Sequence, residues 1–322
     1  MTNKVQRARN YIAAMPGAVS GSGGHDATFA VACALVKFGL TESEAWLLML
    51  EYNARCSPRW SESDLRHKLR DAFRRVRPDA RLTEQSREPA KEEKRSRWPA
   101  FATPTRLELH QIGELRNISN EGLALAAKRG LLRCANYRSS RCWFVTDATG
   151  FTAQARRLDG RPFAKADGGT AKALTLPGST ASWPIGLNEI ESYSNVMLCE
   201  GGPDLLAAHH FIVIEGQEWN CGAVALLGAS QRLQESVLPK FSGKHVRIFP
   251  HVDKAGKQAA IRWAKALIPV AATVDVVRLD GLRRIDGPLG EDEKPVNDLN
   301  NLTLIHPDDF ENNRELWNLC PA

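Results

Sequence analysis

The residues best placed to do chemistry sit where two apolar runs break off into acid, glycine and proline. Asn195–Asp204 reads NVMLCEGGPD, and Lys244–Gly256 reads KHVRIFPHVDKAG. Glu200 and Gly201 close the first run, and Asp204 follows Glu200 by four. His251 and Asp253 close the second, with Lys254 and Gly256 behind them. In a parallel sheet, neighbouring strands that stop this way present their ends at one crevice, where open α/β sheets bind ligands. Two or three carboxylates converging there make a hard-oxygen cage for Mg²⁺ or Mn²⁺. A purely structural part for Glu200 and Asp253 is disfavoured, because two strand-end acids in one crevice repel unless something binds them.

The surrounding pattern supplies such a sheet. Strands are predicted over 195–199, 222–227, 244–249 and 273–278, alternating with helices over 203–212, 231–238 and 254–267. A βαβαβαβ order implies a parallel sheet with right-handed crossovers. The later segment KPVNDLNNL (294–302) is expected to fold back near the strand ends. Ahead of the sheet, Ser119 should cap a helix to Lys128, and Gly130 opens a β-rich patch over 142–147, 151–160 and 171–178.

The first third reads as helical. Asp26 is expected to cap a helix that Gly39 ends. Thr41-Glu42-Ser43-Glu44 is a capping box opening a second. Ser61-Glu62-Ser63-Asp64 opens a third, with Leu65, Leu69, Ala72 and Phe73 as its apolar stripe and Arg66, His67, Lys68, Arg70, Arg74 and Arg75 on the other face. The expected organisation is a helical domain over 1–77, a charged, Pro-dotted linker over 78–106, a small α/β subdomain over 107–190, the parallel-sheet domain over 191–302 and a tail over 303–322. Trp98 and Phe101, late in the linker, are candidates to dock on a neighbouring domain.

Charge follows the same division. Residues 1–107 hold 19 Lys and Arg against 12 Asp and Glu, and residues 108–322 hold 24 against 25. The whole excess of +6 therefore lies in the N-terminal third. A basic module joined to a near-neutral one suits a polyanion held by the first and processed by the second, although a solvated helix beside a charged linker gives the same count. No apolar run approaches the roughly 20 residues of a membrane span, and MTNKVQRARN has no signal-peptide core. The seven cysteines are scattered without C-x-x-C spacing, which reads as reduced thiols and a cytoplasmic protein.

Leu198-Cys199-Glu200-Gly201, Asp204 and Val252-Asp253-Lys254-Ala255-Gly256 resemble, residue by residue, the Toprim domain of bacterial and phage primases, topoisomerases and a class of nucleases. Asn297-Asp298-Leu299 resembles the stretch that follows this domain in phage-type primases. Residues 108–190, through Gln154–Gly160 and Lys172–Pro177, look like the basic subdomain ahead of it. Residues 7–75, with Gly21–His25, the EYNARCSP stretch and a charged last helix, resemble the small helical domain of many phage and plasmid primases. In residue terms, Gly21–Gly24 is either a phosphate cradle at a helix start or a flexible entry loop, the second being favoured for a lone glycine-rich loop.

The resemblance implies a Rossmann-like Toprim sheet of α/β class, a basic α/β subdomain before it and a separate all-α N-terminal domain. It also implies a DNA primase of a phage, plasmid or other mobile element. Such a protein makes short primers on single-stranded DNA from nucleoside triphosphates by metal-dependent nucleotidyl transfer, beside a separate replicative helicase. Glu200 and Asp253 are then the catalytic residues, Glu200 as general acid/base, and Glu200, Asp204, His251 and Asp253 are the metal set. Arg156, Arg157, Lys172 and Lys254, with Arg66, Lys68, Arg70 and Arg74 of the helical domain, face nucleic acid or nucleotide; strand-face charges exposed to water are the competing account of the first three. Asp298 is a site residue or a turn cap, and Gly201 and Gly256 shape the turns.

One position departs from the family. His251 stands where the Toprim pattern has the first acid of Asp-x-Asp. A neutral imidazole removes one negative charge from the cage and favours Mn²⁺ over Mg²⁺. A Mn²⁺-leaning enzyme, a one-metal site and an inactive DNA-binding replication factor all stay open, as does a Toprim nuclease using the same acids. Within these residues there is no G-x-x-x-x-G-K-[ST] P-loop and no zinc-ribbon spacing. The four tyrosines lie outside anything like a topoisomerase cleavage domain.

Overall fold

The structure is a computed structural model describing residues 4–19, 23–78, 94–95, 97–147, 151–165, 167–180, 182–285 and 294–321. The chain divides into two compact units, Met1–Glu93 and Lys94–Ala322.

The first unit contains helices α1 (Lys4–Ala13), α2 (Gly24–Lys37), α3 (Glu42–Asn53) and α4 (Glu62–Arg75). The Thr41 hydroxyl accepts from the Glu44 N–H at 3.3 Å while the Glu44 carboxylate accepts from the Thr41 N–H at 2.7 Å, a complete capping box. Ser61 caps α4 by accepting from the Asp64 N–H. Leu65, Leu69 and Ala72 of α4 are buried against Leu35, Leu48 and Tyr52. Asp26 does not cap α2. The Gly23 carbonyl already accepts from the Asp26 and Ala27 N–H groups at 3.1 Å, so the helical ladder begins before Asp26 can act as its cap. Gly21 and Ser22 lie outside the described residues, as does most of the expected linker (79–93 and 96).

The second unit begins by packing itself down. Trp98 Nε1 donates to the Pro177 carbonyl at 2.6 Å, and the Phe101 ring lies 5.0 Å from that of Phe144. Helix α5 (Arg106–Arg116) starts at a Thr105–Glu108 capping box, and α6 (Asn120–Lys128) is capped by Ser119. Strands β1 (Leu132–Tyr137), β2 (Ser140–Thr146), β3 (Ala153–Arg157) and β6 (Leu174–Thr175) form an antiparallel sheet in the order β1-β2-β3-β6. A small hairpin of β4 (Phe163–Ala164) and β5 (Thr170–Ala171) sits between β3 and β6 in sequence.

The parallel sheet follows. It comprises β7 (Asn195–Glu200), β8 (Cys221–Leu226), β9 (His245–Phe249) and β10 (Thr273–Val276), ordered β10-β9-β7-β8. All three pairings are parallel. Helices α7 (Gly202–Ile214) and α8 (Lys254–Leu267) connect strands, and short helices α9 (Leu299–Leu302) and α10 (Pro307–Asn312) lie beyond the sheet. The fold is thus mixed α/β around a parallel sheet.

Alternation along β7 shows how two cores share one sheet, since successive side chains point to opposite faces. Met197 and Cys199 join Leu205, Leu206, Ile212 of α7 and the inner side of the antiparallel layer, including Trp143 and Val145. Val196 and Leu198 join Ala259, Ala260, Trp263 and Leu267 of α8. The site is therefore wedged between layers fixed on both faces.

The helix expected over 231–238 does not form. Residues 235–237 are turn, and a 3₁₀ helix runs Leu238–Phe241. Leu233 and Val237 have helical spacing and are buried, but Pro239 biases Leu238 away from helical backbone and cannot donate within a helix interior. An irregular stretch and one turn bury the same pair. Among the described residues, all seven cysteines are free thiols and no helix is long and apolar enough to cross a membrane.

Trp263 anchors the α8 face: it is wholly buried and its Nε1 donates to the Gln231 carbonyl at 2.9 Å. Trp263→Ala is expected to cost about 3–5 kcal/mol, read as a lowered urea midpoint. A loss under about 1 kcal/mol would contradict this packing.

Candidate active site

Each side chain of the crevice is placed by a strand end or a helix start. Buried β7 delivers Glu200, and Gly201, at φ 92°, turns the chain straight into α7. A side chain is strained at that backbone angle. Asp204 therefore lies in the first turn of α7, almost completely buried. On the adjacent strand, β9 ends at Phe249 and the chain reaches His251 two residues on. A Cβ on Gly256 would stand 2.4 Å from the His251 carbonyl oxygen and 2.8 Å from its Cβ. The His251 loop can lie on α8 only because residue 256 has no side chain.

The segment after the sheet closes the crevice, as expected for 294–302. The Val252 N–H donates to the Asn297 carbonyl at 2.9 Å. Asp298 caps α9 by accepting from the Asn301 N–H, and the Asn300 N–H donates to Asp204 Oδ1 at 2.9 Å.

Four titratable groups meet there. His251 Nε2 is 2.9 Å from Asp204 Oδ2, and its Nδ1 is 3.9 Å from Glu200 Oε1. One ligand atom from each of Asp204, His251 and Asp298 lies within 4.8 Å of the others. Burial disfavours charge on Asp204 and pushes its carboxyl up to about 6, against the opposing His251 hydrogen bond. Burial also opposes charge on His251, but the Asp204 hydrogen bond and the charges of Asp204, Glu200 and Asp298 outweigh it and push the imidazole up to about 9. Burial raises Glu200 as well, against the pull of His251. Glu200 Oε2 is buried and has no hydrogen-bond partner among the described residues.

Across the crevice stand two cations, Arg116 at the end of α5 and Arg156 on β3 of the antiparallel layer. Arg156 on β3 pairs in register with Trp143 on β2. The guanidinium carbons of Arg116 and Arg156 lie 5.8 and 5.9 Å from the Trp143 ring centre. Both Nε atoms are buried and unpartnered among the described residues. Burial and the neighbouring Arg116 charge push Arg156 down to about 10, while the fields of Asp204 and Asp298 hold it up. Arg116 is lowered by burial and supported by the same two acids. Two partly buried cations side by side, with donors to spare, invite an anion.

The remaining sequence candidates lie elsewhere. Asp253 is exposed, and its Oδ1 caps α8 by accepting from the Gly256 N–H at 2.7 Å. It stands near enough to Glu200 to raise that carboxyl, yet it is outside the Asp204–His251–Asp298 group. Lys254 is exposed in the first turn of α8, and Lys172 is exposed between β5 and β6. Arg157 alternates to the opposite face from Arg156 and pairs with Asp159. Arg66, Lys68, Arg70 and Arg74 belong to the helical unit; Arg66 stacks on Trp46 at 4.1 Å and Lys68 on Trp60 at 4.8 Å. Arg116, Trp143 and Asn300 are additional residues of the crevice. Asn300 could have been suspected from its place beside Asp298, but no local pattern marks the other two.

The donor set fits one divalent ion. Asp204, His251 and Asp298 offer two carboxylates and an imidazole, and Glu200 adds an orphaned oxygen beside them. An imidazole among the donors suits Mn²⁺ better than Mg²⁺, and His251 must release its proton to bind either.

The ion pair predicts a pH dependence of stability. In the unfolded chain His251 titrates near 6.5, and in the folded chain near 9. Its contribution is complete below pH 6.5 and disappears as pH rises through 9. Asp204, raised from 3.8 to about 6, removes stability over that lower window in the same direction. We expect roughly 2 kcal/mol to be lost between pH 6.5 and 9 in urea melts of the metal-free protein, and a flat profile for His251→Asn. Matching slopes in the two proteins would contradict the pairing.

No protein-family model and no curated protein matches the chain. Solved structures are similar to the chain in part, among them the following three. The primase fragment of the bacteriophage T7 primase-helicase protein is 18% identical, with 52% of this chain and 64% of that one covered and a TM-score of 0.35. A chain from the structure of bacteriophage T7 lagging-strand DNA polymerase with primase domains bound to an RNA/DNA hybrid and dTTP is 17% identical, with 65% and 91% covered and a TM-score of 0.40. A DNA primase domain from Pseudomonas aeruginosa is 20% identical, with 53% and 52% covered and a TM-score of 0.27. The chain thus spans just under two thirds of the first of these and about half of the last.

Proposed function

We propose that the protein is a primase-like nucleotidyltransferase that builds short primers on single-stranded DNA from nucleoside triphosphates, with one divalent cation, Mn²⁺ in preference to Mg²⁺. The observation that carries this reading is the buried, unpartnered Glu200 Oε2 beside Asp204, His251 and Asp298, opposite the paired guanidinium groups of Arg116 and Arg156. The Toprim-type residues at both strand ends, Glu200-Gly201 and Asp253-x-x-Gly256, support it.

In this reading Asp204, His251 and Asp298 hold the cation, which when bound offsets phosphate charge and assists in-line displacement. Arg116 and Arg156 receive the negative charge of the incoming triphosphate. Glu200, raised by burial toward the range of a working acid/base, takes the proton from the attacking 3′-hydroxyl. The new bond joins that oxygen to the α-phosphorus, and diphosphate leaves. Asp253 fixes the His251 loop through its helix cap. The biological setting that suits such an activity is replication of a phage, plasmid or other mobile element beside a separate helicase.

The His251–Asp204 pair favours one alternative, a DNA-binding replication factor without catalysis, because an imidazolium already neutralises the buried carboxylate. Primer synthesis from labelled nucleotides on single-stranded DNA separates the two. Wild type is expected to make oligomers in Mn²⁺, and Glu200→Gln to lose about 10²–10⁴-fold of that rate. Absence of product in both metals, with DNA still bound, selects the binding factor. Template cleavage lost with the same variant selects a nuclease.

A further inference from the structure

The helical unit contains a feature that the proposed chemistry does not use. Two adjoining cavities, of about 210 and 340 Å³, share His25, Trp60 and Asp64 in their walls. Pro58 and Arg59 line the smaller one, and Lys68 and Arg75 the larger.

Trp60 is fixed in place at this junction. Its backbone N–H donates to Asn53 Oδ1 at 2.8 Å, and its backbone carbonyl accepts from Asn53 Nδ2 at 3.0 Å. The His25 ring meets the indole edge-on at 4.6 Å, and the Lys68 ammonium lies 4.8 Å from the ring centre while also donating to the His25 carbonyl. A tryptophan held this firmly yet only half-buried is a prepared stacking surface, with little further ordering to lose on binding.

The charges around it discriminate among occupants. Residues 59–77 carry seven Lys and Arg against three acids. Each acid is engaged: Glu62 with Arg66, Asp71 with Arg75, and Asp64 with the Ser61 hydroxyl. Arg59, at the rim, is exposed and makes no ion pair or hydrogen bond among the described residues. A small anion would suit the surroundings but not the cleft, where Asp64 repels phosphate. An acidic peptide meets the same carboxylate. A planar base tolerates it, since the base has N–H edges that a carboxylate accepts. A duplex keeps those edges and faces stacked away, whereas a single strand offers them.

We infer that the Trp60 cleft of the helical unit holds one nucleobase of a single-stranded nucleic acid, with flanking phosphates on Arg59 and Lys68. The cleft belongs to the first unit and the crevice to the second, and binding in the cleft requires neither metal nor nucleotide.

The test uses the full chain and a labelled 15-residue oligothymidylate in EDTA, with anisotropy followed across a salt series. Trp60→Ala is expected to weaken binding by about tenfold or more, the loss of one stacked base, while Trp60→Phe stays close to wild type. Arg59→Ala, at an exposed position outside the core, is expected to lower the salt slope by about 0.7, the value for one single-strand phosphate. The measurement is made in EDTA without nucleotides, so an absence of primer synthesis leaves this result standing. The inference is overturned if Trp60→Ala and Arg59→Ala both bind like wild type with the same slope. It is equally overturned if a duplex of that length, or polyglutamate, competes as well as the single strand.

Discussion

The buried carboxylate of Asp204 constrains everything around it. It sits in the first turn of a helix, almost without solvent, and must either take up a proton or find partners. Its partners come from far along the chain: His251 from the β9 loop at 2.9 Å and the Asn300 N–H from α9 at 2.9 Å. Three segments distant in sequence are thereby pinned to one point. Removing one member of such a set leaves a buried charge uncompensated, which is why buried pairs matter more for arrangement than for net stability.

The crevice built on that point has its charges nearly balanced. Glu200, Asp204 and Asp298 face His251, Arg116 and Arg156. A phosphate-bearing substrate adds negative charge to this set, and the spare guanidinium donors and a divalent ion are the groups able to absorb it. An acid in place of His251 would shift the balance toward a more strongly held metal. The histidine instead places a proton beside the carboxylate that a metal would need, so a cation binding there would have to displace the imidazolium from Asp204. In the proposed reading, metal binding and proton release from His251 are therefore linked.

Much of this was legible in the sequence, and the limits are physical. The alternation of apolar runs with helices disclosed the parallel sheet, and the glycines at 201 and 256 marked turns where backbone geometry or a close contact excludes a side chain. Local signals also read the Thr41 capping box and the Ser119 cap. Segment 231–238 has helical spacing in Leu233 and Val237, but an irregular stretch and a turn bury that pair equally well, and Pro239 opposes a continuing helix. Asp253 shows a deeper ambiguity: an acid three residues before a glycine is spelled alike whether it caps a helix or ligates a metal. Arg116 and Arg156 reach the crevice through the pairing of β2 with β3 and the packing of α5, contacts with no local signature.

Counting bound manganese tests the central claim most directly. Paramagnetic resonance of Mn²⁺ titrated into the full chain at about pH 8.5 should show one bound ion per chain, with affinity falling at least about tenfold in Asp298→Asn. No bound manganese up to millimolar concentration, or binding indifferent to that substitution, would contradict a metal site at Asp204, His251 and Asp298.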